Sequence, residues 1–103
     1  MNLKNDMNKK LQNRKILNIN DDFGIEKSWE EMVELLSQNE DSTINYLESV
    51  EKEDLYYISE IFEDLSEIFQ SPKFISCLRK LDEKFPKLEM TNDIDIAESY
   101  IEK

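Results

Sequence analysis

The sequence predicts an all-α protein, and three observations carry that reading. One glycine and two prolines in 103 residues are too few turn-formers for an all-β chain, whose closely spaced turns need special backbone geometry. Apolar residues recur at spacings of three and four along most of the chain, most strongly at Leu55, Ile58, Phe62, Leu65 and Phe69. The polar interruptions between such stretches are short and carry helix-capping signals. With 39% apolar and 10% aromatic residues, the chain has material for one core and too little for two. The expected architecture is a compact bundle or a short superhelical stack of about five antiparallel helices.

Residues 1–25 are expected to form a basic N-terminal arm or an extra helix, and 26–103 a single helical domain. Leu3, Met7 and Leu11 lie four apart, which suits a weak amphipathic helix and a loose arm equally well. Ile16, Leu17, Ile19, Phe23 and Ile25 surround Asp21-Asp22 and Gly24 without helical spacing, which predicts an extended segment laid on the core. Ser28-Trp29-Glu30-Glu31 fits the capping-box pattern and predicts a helix over 28–38 with Trp29, Met32, Val33 and Leu36 inward. That places the only tryptophan in the core.

Gln38-Asn39-Glu40 reads as a linker, after which Asp41 or Ser42 caps a helix over 42–50 carrying Ile44, Leu47 and Val50. The strongest periodicity predicts a long helix over 53–70, with Ile61 and Ile68 on the same side as its five apolar positions. Ser71-Pro72 supplies a cap and a proline at the first helical position, opening a helix over 72–85 with Phe74, Leu78, Leu81 and Phe85 inward. Pro86 stops it. Leu88 to Met90 reads as a short extended piece. Thr91 or Asn92 then caps a helix over 93–102, in which Asp93 and Asp95 favour the N-terminal dipole and Ile94, Ala97 and Ile101 face inward.

The composition removes several chemistries. Histidine is absent, and with it the commonest general base, the commonest transition-metal ligand and the usual partner of a serine or cysteine nucleophile. A single glycine precludes a glycine-rich phosphate loop. Cys77, the lone cysteine, precedes Leu78 on an inward face and reads as a buried structural thiol. Asp93-Ile94-Asp95 and Asp21-Asp22 lack the rest of a calcium loop, so no metal or cofactor is expected, and no catalysis. The first thirty residues contain no signal-peptide pattern, and the longest apolar run, Leu55 to Ile58, is far below the roughly 20 residues of a membrane span. A cytoplasmic protein is expected.

Charge is distributed unevenly, and this is the main pointer to function. Residues 1–20 carry five basic residues against Asp6, while 21–103 carry eight basic and 23 acidic residues. If Leu55, Ile58, Phe62, Leu65 and Phe69 face the core, the opposite side of that helix presents Tyr56, Glu60, Glu63 and Glu67, with Asp64 at its edge and Glu53 one turn earlier. Like charges three and four apart each cost a helix about 0.2–0.5 kcal/mol. A solvated face explains the stripe without function, since glutamate is a good helix former. A basic partner explains it with function, because it converts repulsion into attraction, and an exposed Tyr56 amid carboxylates has the composition of an interface hot spot.

The order of these motifs carries a resemblance. Ser28-Trp29-Glu30-Glu31 is followed by Asp54-Leu55-Tyr56-Tyr57-Ile58-Ser59-Glu60-Ile61-Phe62-Glu63-Asp64, then Phe85-Pro86-x-Leu88 and Asp93-Ile94-x-x-Ala97. Over about 28–101 the chain resembles small acidic helical immunity proteins of bacterial contact-dependent growth inhibition and other polymorphic toxin systems. The resemblance implies an antidote that binds a cognate toxin domain, often a basic nuclease, and blocks its active site or an exosite. The Tyr-Tyr-Pro segment of colicin-type nuclease immunity proteins is missing, since Ile58 follows Tyr56-Tyr57. Two further classes stand beside it: an acidic DNA mimic, which requires carboxylates spaced along an elongated body, and an enzyme working with carboxylates alone.

Overall fold

The first helix begins where the Asn2 side chain accepts a hydrogen bond from the N–H of Asn5, in a computed structural model that describes residues 2–102. This helix, α1 (Leu3–Lys15), ends with Arg14 and Lys15, where cations complement the helix dipole. Met7 and Leu11 are buried and belong to the main core. Of the two conformations the spacing allows, the N-terminal segment therefore takes the helical one. The outermost residues of the predicted spans 1–25 and 26–103 lie outside the described residues.

The next helix starts six residues earlier than the capping-box pattern predicts. α2 (Asp22–Leu36) is capped by Asp21, whose carboxylate accepts from Gly24 N–H at 3.0 Å. Gly24 is needed by that cap, because a Cβ there would sit 2.5 Å from Asp21 Oδ2. Ser28 is consequently a buried mid-helix residue and no cap. The expected extended segment is also absent: residues 16–21 form a tight turn, and of its apolar residues Ile16, Ile19 and Phe23 face solvent while Ile25 is buried. An N-terminal aspartate with two free oxygens satisfies a helix start at Asp22, so Ser28 is not required as one.

Asn39 caps α3 (Glu40–Glu48), accepting from Ser42 N–H, where a linker was expected. Thr43 is fully buried and donates its hydroxyl to the carbonyl of Leu36, the last residue of α2, which is itself buried. The predicted 53–70 helix is interrupted. α4 (Lys52–Ile58) passes through a 3-10 turn at Ser59–Ile61 into α5 (Phe62–Phe69), with Ser59 Oγ donating to the carbonyl of Tyr56. Leu55, Ile58, Ile61, Phe62 and Leu65 are all buried as expected, whereas Ile68 is 52% exposed.

Gln70 ends α5 in the left-handed region at φ 47° and clamps the C-terminal segment, donating to the Tyr100 carbonyl and accepting from Glu102 N–H. Pro72 opens α6 (Pro72–Lys84) at its first position, although the Ser71 side chain makes no capping bond. After Phe85 the chain makes a 3-10 turn, Pro86–Leu88, and a left-handed Glu89, where an extended piece was expected. α7 (Thr91–Ser99) begins at Met90 without a side-chain cap; Asp93 occupies its first turn, while Asp95 pairs with Arg79 instead. No strand occurs among the described residues, and none of their helices is long and apolar enough to cross a membrane. The helices enclose one core, drawn from all seven, in a body of 35 × 30 × 26 Å.

Candidate functional site: an acidic groove between two helices

The tertiary structure divides the predicted stripe. Glu60, Glu63, Asp64 and Glu67 remain together and form one wall of a groove of about 750 Å³. Glu53 and Tyr56 lie outside its lining, on α4. The 3-10 turn causes the separation, since three residues at 120° each rotate the chain by roughly 60° more than an α-helix does. Tyr56 is 57% exposed and meets Tyr57 edge-on at 5.2 Å.

The opposite wall comes from α2 and was not among the predicted site residues. Glu26, Glu30 and Glu34 are spaced four apart on that helix, with Trp29, Val33 and Ile68 supplying the apolar floor. The sequence contains the signal, three glutamates at i, i+4 and i+8. Starting the helix at Ser28 hides it, because Glu26 then falls outside.

The groove thus gathers seven carboxylates, and the N-terminal helix supplies the counter-charge for one of them. Arg14 makes a bidentate pair with Glu60, Nε to Oε1 at 2.8 Å and Nη2 to Oε2 at 2.7 Å. The indole N–H of Trp29 donates to the same Oε1 at 3.1 Å. Arg14's own hydrogen bonding to Glu60 holds its guanidinium above the usual pKa, against the desolvation that lowers it. Glu60 therefore joins α1 and α2 to the 3-10 turn that precedes α5, fixed by planar, charge-assisted geometry. Trp29, expected in the core, packs against it with its apolar body and lines the groove.

Lys15 plays the same part for α4. Its ammonium lies 2.7 Å from Asp54 and 3.8 Å from Glu53, and the Asp54 hydrogen bond raises its pKa. Arg14 and Lys15 also lie 5.2 and 5.8 Å from the Tyr57 ring centre; Tyr57 packs against the core, whereas Tyr56 is exposed. No lysine or arginine interrupts the stripe along its own helix, yet two reach it from another.

The other six groove carboxylates, Glu26, Glu30, Glu34, Glu63, Asp64 and Glu67, make no ion pair among the described residues. They line two walls and do not converge: among the described residues no group of three or more His, Cys, Asp or Glu side chains could hold a metal ion. Such an arrangement suits an extended cationic surface better than a point charge. Cys77 is buried at the base of a separate cleft beside Ile44 and Leu81, and burial pushes its thiol up to about 11. No family model matches the chain, and no curated protein or solved structure matches it.

Proposed function

We propose that this chain is an immunity protein, a cytoplasmic antidote that binds and neutralises a cognate basic toxin domain, with the α2–α5 groove as its binding face and no catalytic role of its own. The observation that carries the reading is the composition of that groove: seven carboxylates on two walls over an apolar floor, with a single counter-ion among the described residues. Six unpaired carboxylates repel one another in the free protein, and lysine or arginine side chains of a partner would relieve that repulsion on docking. A nuclease domain, basic because it binds phosphates, offers such side chains. The compact 35 × 30 × 26 Å body favours this over a DNA mimic, which needs carboxylates spaced like phosphates along an elongated surface.

The test is binding and protection. Glu63→Lys with Glu67→Lys, chosen because neither residue pairs internally, should weaken binding to the toxin-like product of the adjacent gene and abolish protection of cells that express it. Glu60 is unsuitable for the purpose, since it also ties α1 and α2 to the 3-10 turn. Full protection by the double variant would remove the groove from the interface. Failure of the unmodified protein to bind that product would remove the toxin reading.

A further inference from the structure

The turn joining α1 to α2 and the first turn of α2 carry the most exposed large apolar side chains of the described residues: Ile16 at 78%, Ile19 at 84% and Phe23 at 80%. The turn does not need them. Asn18 accepts from Asn20 N–H, Asp21 N–H donates to the Asn18 carbonyl, and Asp21 caps α2, so polar groups alone close the loop. Together the three side chains offer on the order of 400 Å² of apolar surface, the scale at which exposed patches on small proteins mark contacts.

Their position says what covers them. Arg14, two residues before Ile16, grips Glu60 in one groove wall, and Glu26, three residues after Phe23, stands in the other. The turn is thus tethered on both sides to the groove. Along α2, Phe23, Glu26, Glu30 and Glu34 fall within about 80° of arc, so the phenylalanine heads the same stripe as the glutamates. A partner drawn to those carboxylates meets Phe23 at the end of its path.

We infer that the Ile16–Phe23 segment is the apolar anchor of the groove interface, and that the partner docks through a lysine- or arginine-rich segment that also carries large apolar side chains; this rests on the binding face proposed above. Phe23 to Glu34 spans roughly 16 Å, about three turns of a partner helix. The charged walls set the encounter rate, and the exposed aromatic sets the residence time. An acidic stripe alone would accept any polycation, whereas the anchor selects for amphipathic ones.

Two synthetic peptides of about 14 residues, equal in charge, test this: one alternates lysines with leucines at helical spacing, the other replaces every leucine with serine. The lysine–leucine peptide should bind the unmodified protein at least ~10-fold more tightly. Phe23→Ser with Ile19→Ser should remove that advantage, weakening the lysine–leucine peptide by about 10–100-fold while leaving the lysine–serine peptide unchanged. Because both side chains face solvent, the urea midpoint should not move. Undiminished lysine–leucine binding by this variant, with loss on Glu63→Lys plus Glu67→Lys, overturns the anchor and leaves the binding face standing. Charge reversal that weakens neither peptide overturns both. Binding to neutral phosphatidylcholine vesicles that Phe23→Ser abolishes, with no preference between the peptides, assigns the turn to a lipid surface and overturns the inference.

Discussion

Replacing Glu67 with lysine should stabilise the free protein while weakening its complex, and the size of the first effect follows from the structure. Glu67 is exposed in the last turn of α5, four residues after Glu63 and three after Asp64, with no cation among the described residues paired to any of them. Glu67→Lys turns two repulsive pairs into attractive ones, each a swing of about 0.4–1.0 kcal/mol, with glutamate on the favourable N-terminal side. A cation in the last turn also complements the helix dipole by about 0.3–1 kcal/mol. Allowing for solvent screening, a gain of about 1–2 kcal/mol is expected at low ionic strength. Urea unfolding in roughly 20 mM salt measures it, and the gain should shrink by more than half near 0.5 M salt, where the Debye length is only about 4 Å. A neutral or destabilising effect at low salt would refute the argument. It would mean that the carboxylates do not burden the free protein, and that the groove is an ordinary solvated face.

The remaining expectations concern the scaffold. Phe62→Ala should cost about 3–5 kcal/mol, read from the urea midpoint, because the ring is fully buried where α5 meets the core. Thr43→Val should cost about 1–3 kcal/mol, since the hydroxyl is the bond from α3 to the Leu36 carbonyl at the end of α2; Thr43→Ser, which keeps the hydroxyl, should cost less. Cys77 should resist alkylation at pH 8 until denaturant is added. Its thiol ionises from about 9.0 in the unfolded chain and about 11 in the fold. The unfolded state therefore binds fewer protons between those values, and stability should fall as pH rises through that window. A Cys77→Ser variant should lack that component of the alkaline loss.

Local signals carried the helical class, the inward residues from Leu55 to Leu65, the start of α6 at Pro72 and its stop at Pro86, because each depends on side-chain periodicity or on a proline's missing N–H. Four members of the predicted stripe were legible for the same reason, since neighbours three and four apart share a helix face. The limits of local reasoning appear where two solutions compete. Asp21 and Ser28 are both acceptable caps, and choosing the later one hides the glutamates of the second groove wall and gives Ile16, Ile19 and Phe23 a buried role that they do not have. Nor does the pattern around Ser59–Ile61 distinguish a continuous helix from one with a 3-10 turn. What only the tertiary structure decided is which charges meet: Arg14 reaches Glu60 across 46 positions of chain, and Lys15 reaches Asp54 across 39. Helix-forming tendency is a property of neighbours in sequence, whereas Coulomb attraction between side chains depends on distance in space, and packing Met7 and Leu11 into the core is what brings those ends together.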